Sequence, residues 1–203
     1  MQRSSTQRKT GVFGGTFDPV HAGHVAVARA AFRALGLDEL LWVPALPWQK
    51  TACAKASDRL AMLERVLAKL PGHAIETVEI DGAGPSYTCD TLASLQRRRP
   101  HDRLYLVVGS DQFANFLTWK NPSAILAMAE VAVCPRKGGP AAGPGVLEAF
   151  AKAAKAPIVL EGDYPEVSSS EIRLAVAENR LGDVAGLLDP DVLAYIDEHN
   201  LYH

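Results

Sequence analysis

The chain has 203 residues, of which 48% are hydrophobic and 22% charged, and its formal net charge is −2 at pH 7. This balance is ordinary for a globular domain with one core and gives no electrostatic case for a protein that coats nucleic acid or an anionic membrane. The 3 cysteines form no Cys-x-x-Cys pair. They disfavour a disulfide framework or a cysteine-based zinc site, and we expect a reducing, cytoplasmic location.

Strands and helices are predicted to alternate along the chain. Residues 1–9 are polar and basic, and we expect a flexible tail there. Apolar runs predict strands at 10–13, 39–44, 74–80, 103–108, 131–134 and 157–160. Helical spacing and capping residues predict helices at 25–35, 57–70, 86–98, 122–128, 146–155 and 192–199, with another beginning at Ser168. The order predicts an α/β fold: a doubly wound, Rossmann-like parallel sheet in one domain over 1–203, with a C-terminal helical appendage at 168–203.

A glycine-rich turn, Gly14–His24, joins the first predicted strand to the first predicted helix. Such a turn aims backbone N–H groups at a phosphate. It matches neither GxGxxG nor GxxxxGK[ST], which disfavours a dinucleotide-dependent dehydrogenase and a P-loop NTPase. His21 and His24 lie where the helix begins. A zinc pair lacks an obvious third ligand and a structural role stays open, but phosphate contact is the preferred interpretation.

A second candidate anion site lies at the start of the helix after Ser168. Ser168 and Glu171 match the capping box, and the helix start adds hydroxyl donors and Arg173 one turn in. An ordinary capped helix with a surface arginine is the alternative interpretation. Two anion sites in one α/β domain suggest a polyphosphate, and therefore a nucleotide. Ligands of such sheets bind beyond the carboxyl ends of strands, where Gly14–His24, Trp48–Lys50 and Gly109–Trp119 are predicted to lie.

These motifs resemble those of a known family. The segment Gly15–His24, GTFDPVHAGH, resembles the GTFDPxHxGH signature of the nucleotidyltransferase superfamily, and Val167–Arg173, VSSSEIR, resembles its [IV]SxTxIR motif. Within the superfamily the chain resembles the bacterial nicotinate-nucleotide adenylyltransferases from about Gly11 to Tyr202. The segments that carry this narrower resemblance are Pro85–Thr88, Gly109–Asp111, Trp119, Val192–Ile196 and Leu201–Tyr202. The resemblance implies adenylyl transfer from ATP to nicotinate mononucleotide, giving deamido-NAD and pyrophosphate.

The resemblance also implies residue roles. The catalytic residues, expected to stabilise charge on the reacting phosphates, are His21, His24 and Arg173. Those expected to bind ATP are Gly14, Gly15, Thr16, Lys50, Gly109, Asp111, Ser168, Ser169 and Ser170, with Gly109 and Asp111 at the ribose. Those expected to bind the mononucleotide are Tyr87, Thr88 and Trp119, with its base stacked on Trp119. Mg²⁺ is expected to enter with ATP, held by phosphates and water, so no dedicated protein metal site is predicted.

Some positions depart from the family pattern, and several questions stay open. Gln49 stands where the family often has histidine, and Ser170 replaces the usual threonine but keeps the hydroxyl. Transfer to nicotinamide mononucleotide or to phosphopantetheine is an alternative activity. A sensor that binds nucleotides without turnover also fits the motifs, and Trp119 can instead belong to the core. The oligomeric state stays open, a homo-oligomer included.

Overall fold

A computed structural model describes residues 7–46, 53–82, 84–85, 87–136 and 138–203. The strands are β1 (Lys9–Gly15), β2 (Glu39–Pro44), β3 (His73–Ile75), β4 (Arg103–Gly109), β5 (Ala129–Cys134) and β6 (Ile158–Val159). The helices are α1 (Ala22–Leu35), α2 (Ala56–Leu67), α3 (Thr88–Arg98), α4 (Ser110–Ala114), α5 (Pro122–Met128), α6 (Pro144–Lys152), α7 (Ser169–Ala177), α8 (Leu181–Val184) and α9 (Pro190–Glu198). Short 3₁₀ turns span Phe116–Thr118 and Ala185–Leu187.

The strands form one six-stranded sheet in the order β3-β2-β1-β4-β5-β6. The pairings of β1 with β4, β4 with β5 and β5 with β6 are parallel, and Leu106 lies opposite both Val12 and Val131. This is the strand order of a doubly wound nucleotide-binding sheet. The predicted Rossmann-like α/β class with C-terminal helices is therefore confirmed.

The central strands consist of nearly unbroken apolar residues because helices flank a parallel sheet. Every residue of β4 from Leu104 to Val108 is buried. Gly11 in β1 has no room for a side chain, since an added Cβ would lie 2.6 Å from Leu37 Cδ1. Thr10 is the buried polar residue of β1, and its hydroxyl donates to Asp102 Oδ2 at 2.7 Å.

The described residues pack into two compact units. One contains the residues up to Phe13 together with those of Ala30–Leu41 and Tyr87–Gly162, and the other contains those of Gly14–Arg29, Trp42–Ser86 and Asp163–His203. We call them the β4 unit and the β1-loop unit. Within the described parts of the chain, no helix is long and apolar enough to span a lipid bilayer.

Three predicted bounds differ from the structure. The strand predicted at 74–80 is only three residues long, His73–Ile75. Thr77 instead closes a turn, where its hydroxyl donates to Asp81 Oδ2 at 2.7 Å, because a local side-chain bond competes with strand pairing. Helix α2 begins at Ala56, one residue before its predicted start at 57, and α1 begins at Ala22, three residues before its predicted start at 25.

Candidate active site

The loop between β1 and α1 turns sharply at Phe17. This residue has a left-handed backbone with φ of 51°, and its buried ring lies 5.2 Å from that of Trp42. A Cβ on Gly15 would lie 2.9 Å from the Phe17 ring, so glycine lets the ring fold back. Gly14 is exposed, and no atom lies within 4 Å of an added Cβ there. The backbone at Gly14 is therefore open to a ligand.

The two predicted histidines lie against each other at the start of α1. Their rings stack with centroids 3.7 Å apart at 27°. The backbone N–H of His21 donates to His24 Nδ1 at 3.3 Å, which leaves the proton of a neutral His24 on Nε2. A Cβ on Gly23 would lie 3.1 Å from His21 Nδ1 and 3.0 Å from Val167 Cγ1. The glycine between the histidines thus keeps the space that the His21 ring needs.

The carboxylate of Asp18 fixes the β1–α1 loop to other parts of the same unit. Asp18 is only 3% exposed, and its carboxylate accepts hydrogen bonds from the backbone of Cys53 at 2.7 Å and Ala54 at 3.1 Å. The hydroxyl of Tyr202 donates to the same carboxylate at 2.8 Å. Burial, reinforced by Asp18, raises the pKa of the Tyr202 phenol, which therefore remains a donor at physiological pH.

The predicted capping box at the start of α7 is confirmed. The backbone N–H of Glu171 donates to Ser168 Oγ at 3.2 Å, and the backbone N–H of Ser168 donates to Glu171 Oε2 at 2.8 Å. The hydrogen bonds from Ser168 lower the pKa of Glu171. The Ser168 hydroxyl also donates to Glu171 Oε2, so the cap occupies it.

Residues one turn into α7 reach back to the β1–α1 loop. Arg173 Nη1 donates to the main-chain oxygen of Asp18 at 2.6 Å, and Arg173 Nη2 donates to Ser170 Oγ at 3.0 Å. Ser169 Oγ donates to the main-chain oxygen of Pro19 at 3.0 Å. The two sequence motifs, about 150 residues apart, therefore form one cluster within the β1-loop unit.

Arg59 supports the same loop and was not identified from the sequence. It is 1% exposed, and its Nη1 donates to the main-chain oxygens of Thr16 at 2.6 Å and Ala45 at 3.0 Å. Burial lowers the pKa of Arg59, and the Asp18 carboxylate opposes that shift. A signal was present in the sequence, since Arg59 occupies the buried stripe of α2 with Met62, Leu63, Val66 and Leu67.

In the β4 unit, the predicted ribose residues lie together at the end of β4. A Cβ on Gly109 would lie 2.8 Å from Asp111 Oδ1, so glycine allows this carboxylate to approach the strand end. The Asp111 carboxylate lies 3.8 Å from Arg136 Nε. Ser110 Oγ accepts the backbone N–H of Arg136 at 3.1 Å. Arg136 is thus a charged neighbour that the sequence reasoning missed.

The predicted base platform, Trp119, lies at the rim of an aromatic cluster. Its ring is 5.6 Å from that of Phe116, which is fully buried together with Phe150, while Trp119 keeps partial exposure. The core alternative therefore describes Phe116 better than Trp119. A partly exposed indole at such a rim offers one face to a planar ligand.

Tyr87 and Thr88 lie at the start of α3. Tyr87 is the N-cap residue but makes no side-chain cap, and Thr88 is the first helical residue. The ammonium of Lys120 lies 4.4 Å from the centroid of the Tyr87 ring and 2.9 Å from Asp90 Oδ2. The predicted ATP ligand Lys50, like Trp48, Gln49 and Ser86, lies outside the described residues.

Among the described residues, no three histidine, cysteine, aspartate or glutamate side chains are grouped so that they could hold a metal ion. The cationic and N–H groups of the β1-loop unit are instead suited to anions. Arg173, the helix start of α7 and the stacked histidines all belong to that unit. The fold and this cluster are those of a nucleotide-binding transferase.

Comparison with known proteins identifies the family. A family model described as cytidylyltransferase-like matches residues 12–175, and the chain belongs to this family. A relative from Bordetella avium, named a probable nicotinate-nucleotide adenylyltransferase, is 39% identical, with 96% of this chain and 98% of the relative covered. A Bordetella pertussis relative of the same name is 40% identical over 96% of this chain and 98% of its own.

The fold recurs in a solved structure of more distant sequence. Nicotinic acid mononucleotide adenylyltransferase from Plasmodium falciparum, complexed with NaAD, matches with a TM-score of 0.79. The match covers 96% of this chain and 97% of that one at 19% identity. It is independent support for the fold.

Proposed function

We propose that the protein transfers the adenylyl group of ATP to nicotinate mononucleotide, forming deamido-NAD and pyrophosphate in NAD biosynthesis. The observation that carries the proposal is the pair of hydrogen bonds from Ser169 and Arg173 to the loop at Asp18 and Pro19. They join the two anion-binding motifs into one cationic cluster. The full-length relatives at 39% and 40% identity bear the name of this activity.

The chemistry needs no protein nucleophile. A phosphate oxygen of the mononucleotide attacks the α-phosphorus of ATP, a new P–O bond forms, and the bond to the bridging oxygen of the β-phosphate breaks in line. Charge develops on the α-phosphate oxygens and on the leaving pyrophosphate. Fixed donors stabilise that charge, and His24 is suited to this because its Nδ1 accepts a backbone N–H and its Nε2–H can donate.

The β1-loop unit is assigned the triphosphate. Gly14 offers open backbone to the phosphates, with Gly15 and Thr16 beside it in the same loop, while Ser170 and Arg173 bind the β- and γ-phosphates. Ser168 and Ser169 act mainly by holding the start of α7, where the helix dipole favours an anion. Mg²⁺ enters as the MgATP substrate complex and offsets phosphate charge.

The β4 unit is assigned the nucleosides. Asp111 accepts hydrogen bonds from the ribose of ATP beside Gly109, and Trp119 stacks on the acceptor base. The start of α3 at Thr88, which Tyr87 does not cap with its side chain, provides N–H groups for the nicotinate carboxylate. A helix start favours this anion over the neutral amide of nicotinamide.

We propose that residues 1–203 form one domain and that the protein acts on two small-molecule substrates. The three cysteines are free thiols, which fits a cytoplasmic location.

The test is pyrophosphate release by purified protein with MgATP and nicotinate mononucleotide. We expect release that depends on the acceptor, with deamido-NAD identified by mass spectrometry. His24→Ala should lower kcat by about 10²-fold or more, whereas His101→Ala, at an exposed position, should not change it. Binding of ATP without any turnover would contradict the proposal and favour a nucleotide sensor.

A further inference from the structure

Tyr202 has no role in the proposed chemistry, yet its side chain contacts the β1–α1 loop. Its hydroxyl donates to Asp18 Oδ1 at 2.8 Å, across 184 residues of sequence. The tail turns through left-handed residues, with φ of 50° at Asn200 and 69° at Tyr202. That conformation is unfavourable for a tyrosine, so the contacts of its side chain must hold it in place.

The carboxylate that Tyr202 contacts is buried. A buried carboxylate needs hydrogen-bond donors or an opposite charge. Asp18 obtains two donors from the backbone of Cys53 and Ala54, a third from Tyr202, and electrostatic compensation from Arg59. The phenol is the one donor of this set supplied by the C-terminal tail.

Asp18 also orients residues of the catalytic cluster, through main-chain hydrogen bonds. The main-chain oxygen of Asp18 accepts Arg173 Nη1 at 2.6 Å, and that of the following Pro19 accepts the hydroxyl of Ser169 at 3.0 Å. A shift of the Asp18 backbone therefore moves the acceptor of Arg173 and, next to it, the acceptor of Ser169. These four residues and Tyr202 all belong to the β1-loop unit.

We propose that Tyr202 is a positioning residue: its hydroxyl fixes Asp18, and Asp18 fixes the guanidinium of Arg173 for binding and transfer of the ATP phosphates. The phosphate role of Arg173 rests on the proposed function. The C-terminal tail is thereby part of the apparatus that orders the triphosphate, rather than a simple end of the fold.

The chain supplies a matched control. Tyr195 also donates its hydroxyl to an aspartate, Asp58, at 3.0 Å within the same unit. Burial raises the pKa of the Tyr195 phenol, as it does for Tyr202. No hydrogen bond described for Asp58 reaches the β1–α1 loop. Tyr202→Phe and Tyr195→Phe therefore remove the same group from similar bonds, and only the first bond leads to Arg173.

MgATP titrated calorimetrically without an acceptor tests the proposal independently of the acceptor's identity. We expect Tyr202→Phe to raise the dissociation constant about ten-fold, the loss that follows when the charge-assisted contact of Arg173 with a phosphate is weakened, and Tyr195→Phe to leave it within two-fold. In steady-state assays Tyr202→Phe should also lower kcat but leave KM for nicotinate mononucleotide within two-fold. Equal ATP affinities for the two variants would overturn the proposal.

A double-mutant cycle then tests the route through the guanidinium. Combined with Arg173→Lys, the Tyr202→Phe change should weaken ATP binding by less than it does alone, because its target is already altered. Effects that multiply independently would overturn the route through Arg173. Melting curves show which variants are folded, and a Tyr202→Trp variant, which keeps a ring N–H donor, should recover part of the ATP affinity if Tyr202→Phe is unstable. Failure of wild-type turnover with good ATP binding would count against the proposed acceptor and leave this test intact.

Discussion

Gly23→Ala tests whether the ring position of His21 matters to catalysis. An added Cβ would lie 3.0 Å from Val167 Cγ1 and 3.1 Å from His21 Nδ1. Carbon atoms normally pack at about 3.5–4.0 Å, so one neighbour must move by roughly half an ångström. Such overpacking costs about 1–3 kcal/mol, while alanine in a helix recovers about 1 kcal/mol relative to glycine. We therefore expect a loss of about 0–2 kcal/mol in unfolding free energy.

The effect of Gly23→Ala on turnover should be larger. A misplaced group costs up to about 10²-fold in rate, and we expect kcat for pyrophosphate release to fall about ten-fold or more. Gly182→Ala is the matched control, since Gly182 lies in α8 with no atom within 4 Å of an added Cβ. It should keep wild-type kcat. A folded Gly23→Ala protein with wild-type kcat, or a loss no larger than its unfolded fraction, would refute the reasoning.

Three further predictions concern single side chains. Trp119→Ala should raise KM for nicotinate mononucleotide several-fold more than KM for ATP in initial-rate assays, and the reverse order would contradict base stacking on Trp119. Its buried neighbour gives the contrast: Phe116→Ala should lower the free energy of unfolding by about 3–5 kcal/mol. Arg59→Met should cost about 3–5 kcal/mol in urea titrations, because a buried carboxylate loses its compensating charge, and a loss below about 1 kcal/mol would contradict this. Trp42 Nε1 donates to His73 Nδ1 at 3.0 Å, and burial lowers the pKa of His73. The unfolded chain therefore binds more protons, and the free energy of unfolding should fall as pH drops below about 6.5. An unchanged pH dependence of unfolding in His73→Gln would exclude His73 as the origin.

The alternation of elements was predictable because burial imposes a period on the sequence. β2 spans the predicted Glu39–Pro44, and α5 spans the predicted residues 122–128. The capping box of Ser168 and Glu171 and the proline at the start of α5 are local signals that need no tertiary partner. The prediction of the third strand was too long because another local signal was overlooked. The hydrogen bond between Thr77 and Asp81 forms a turn where the alternating pattern predicted a strand.

The hydrogen bonds that hold the β1–α1 loop could not be predicted, because the residues that they join are distant in sequence. The carboxylate of Asp18 is bound by backbone 35 residues away and by Tyr202. Only Arg59 left a local sign, a charge on an apolar helix stripe. The family predicted from the motifs is confirmed. The phosphate and base contacts assigned to individual residues stay predictions.

The most direct test of the central claim is one competition reaction with MgATP and equal concentrations of nicotinate mononucleotide and nicotinamide mononucleotide. Mass spectrometry of the dinucleotide products gives the ratio of the two specificity constants without separate assays. Adenylyl transfer directed by an anion site at the start of α3 predicts deamido-NAD in large excess over NAD. Equal amounts of the two products, or an excess of NAD, would contradict it.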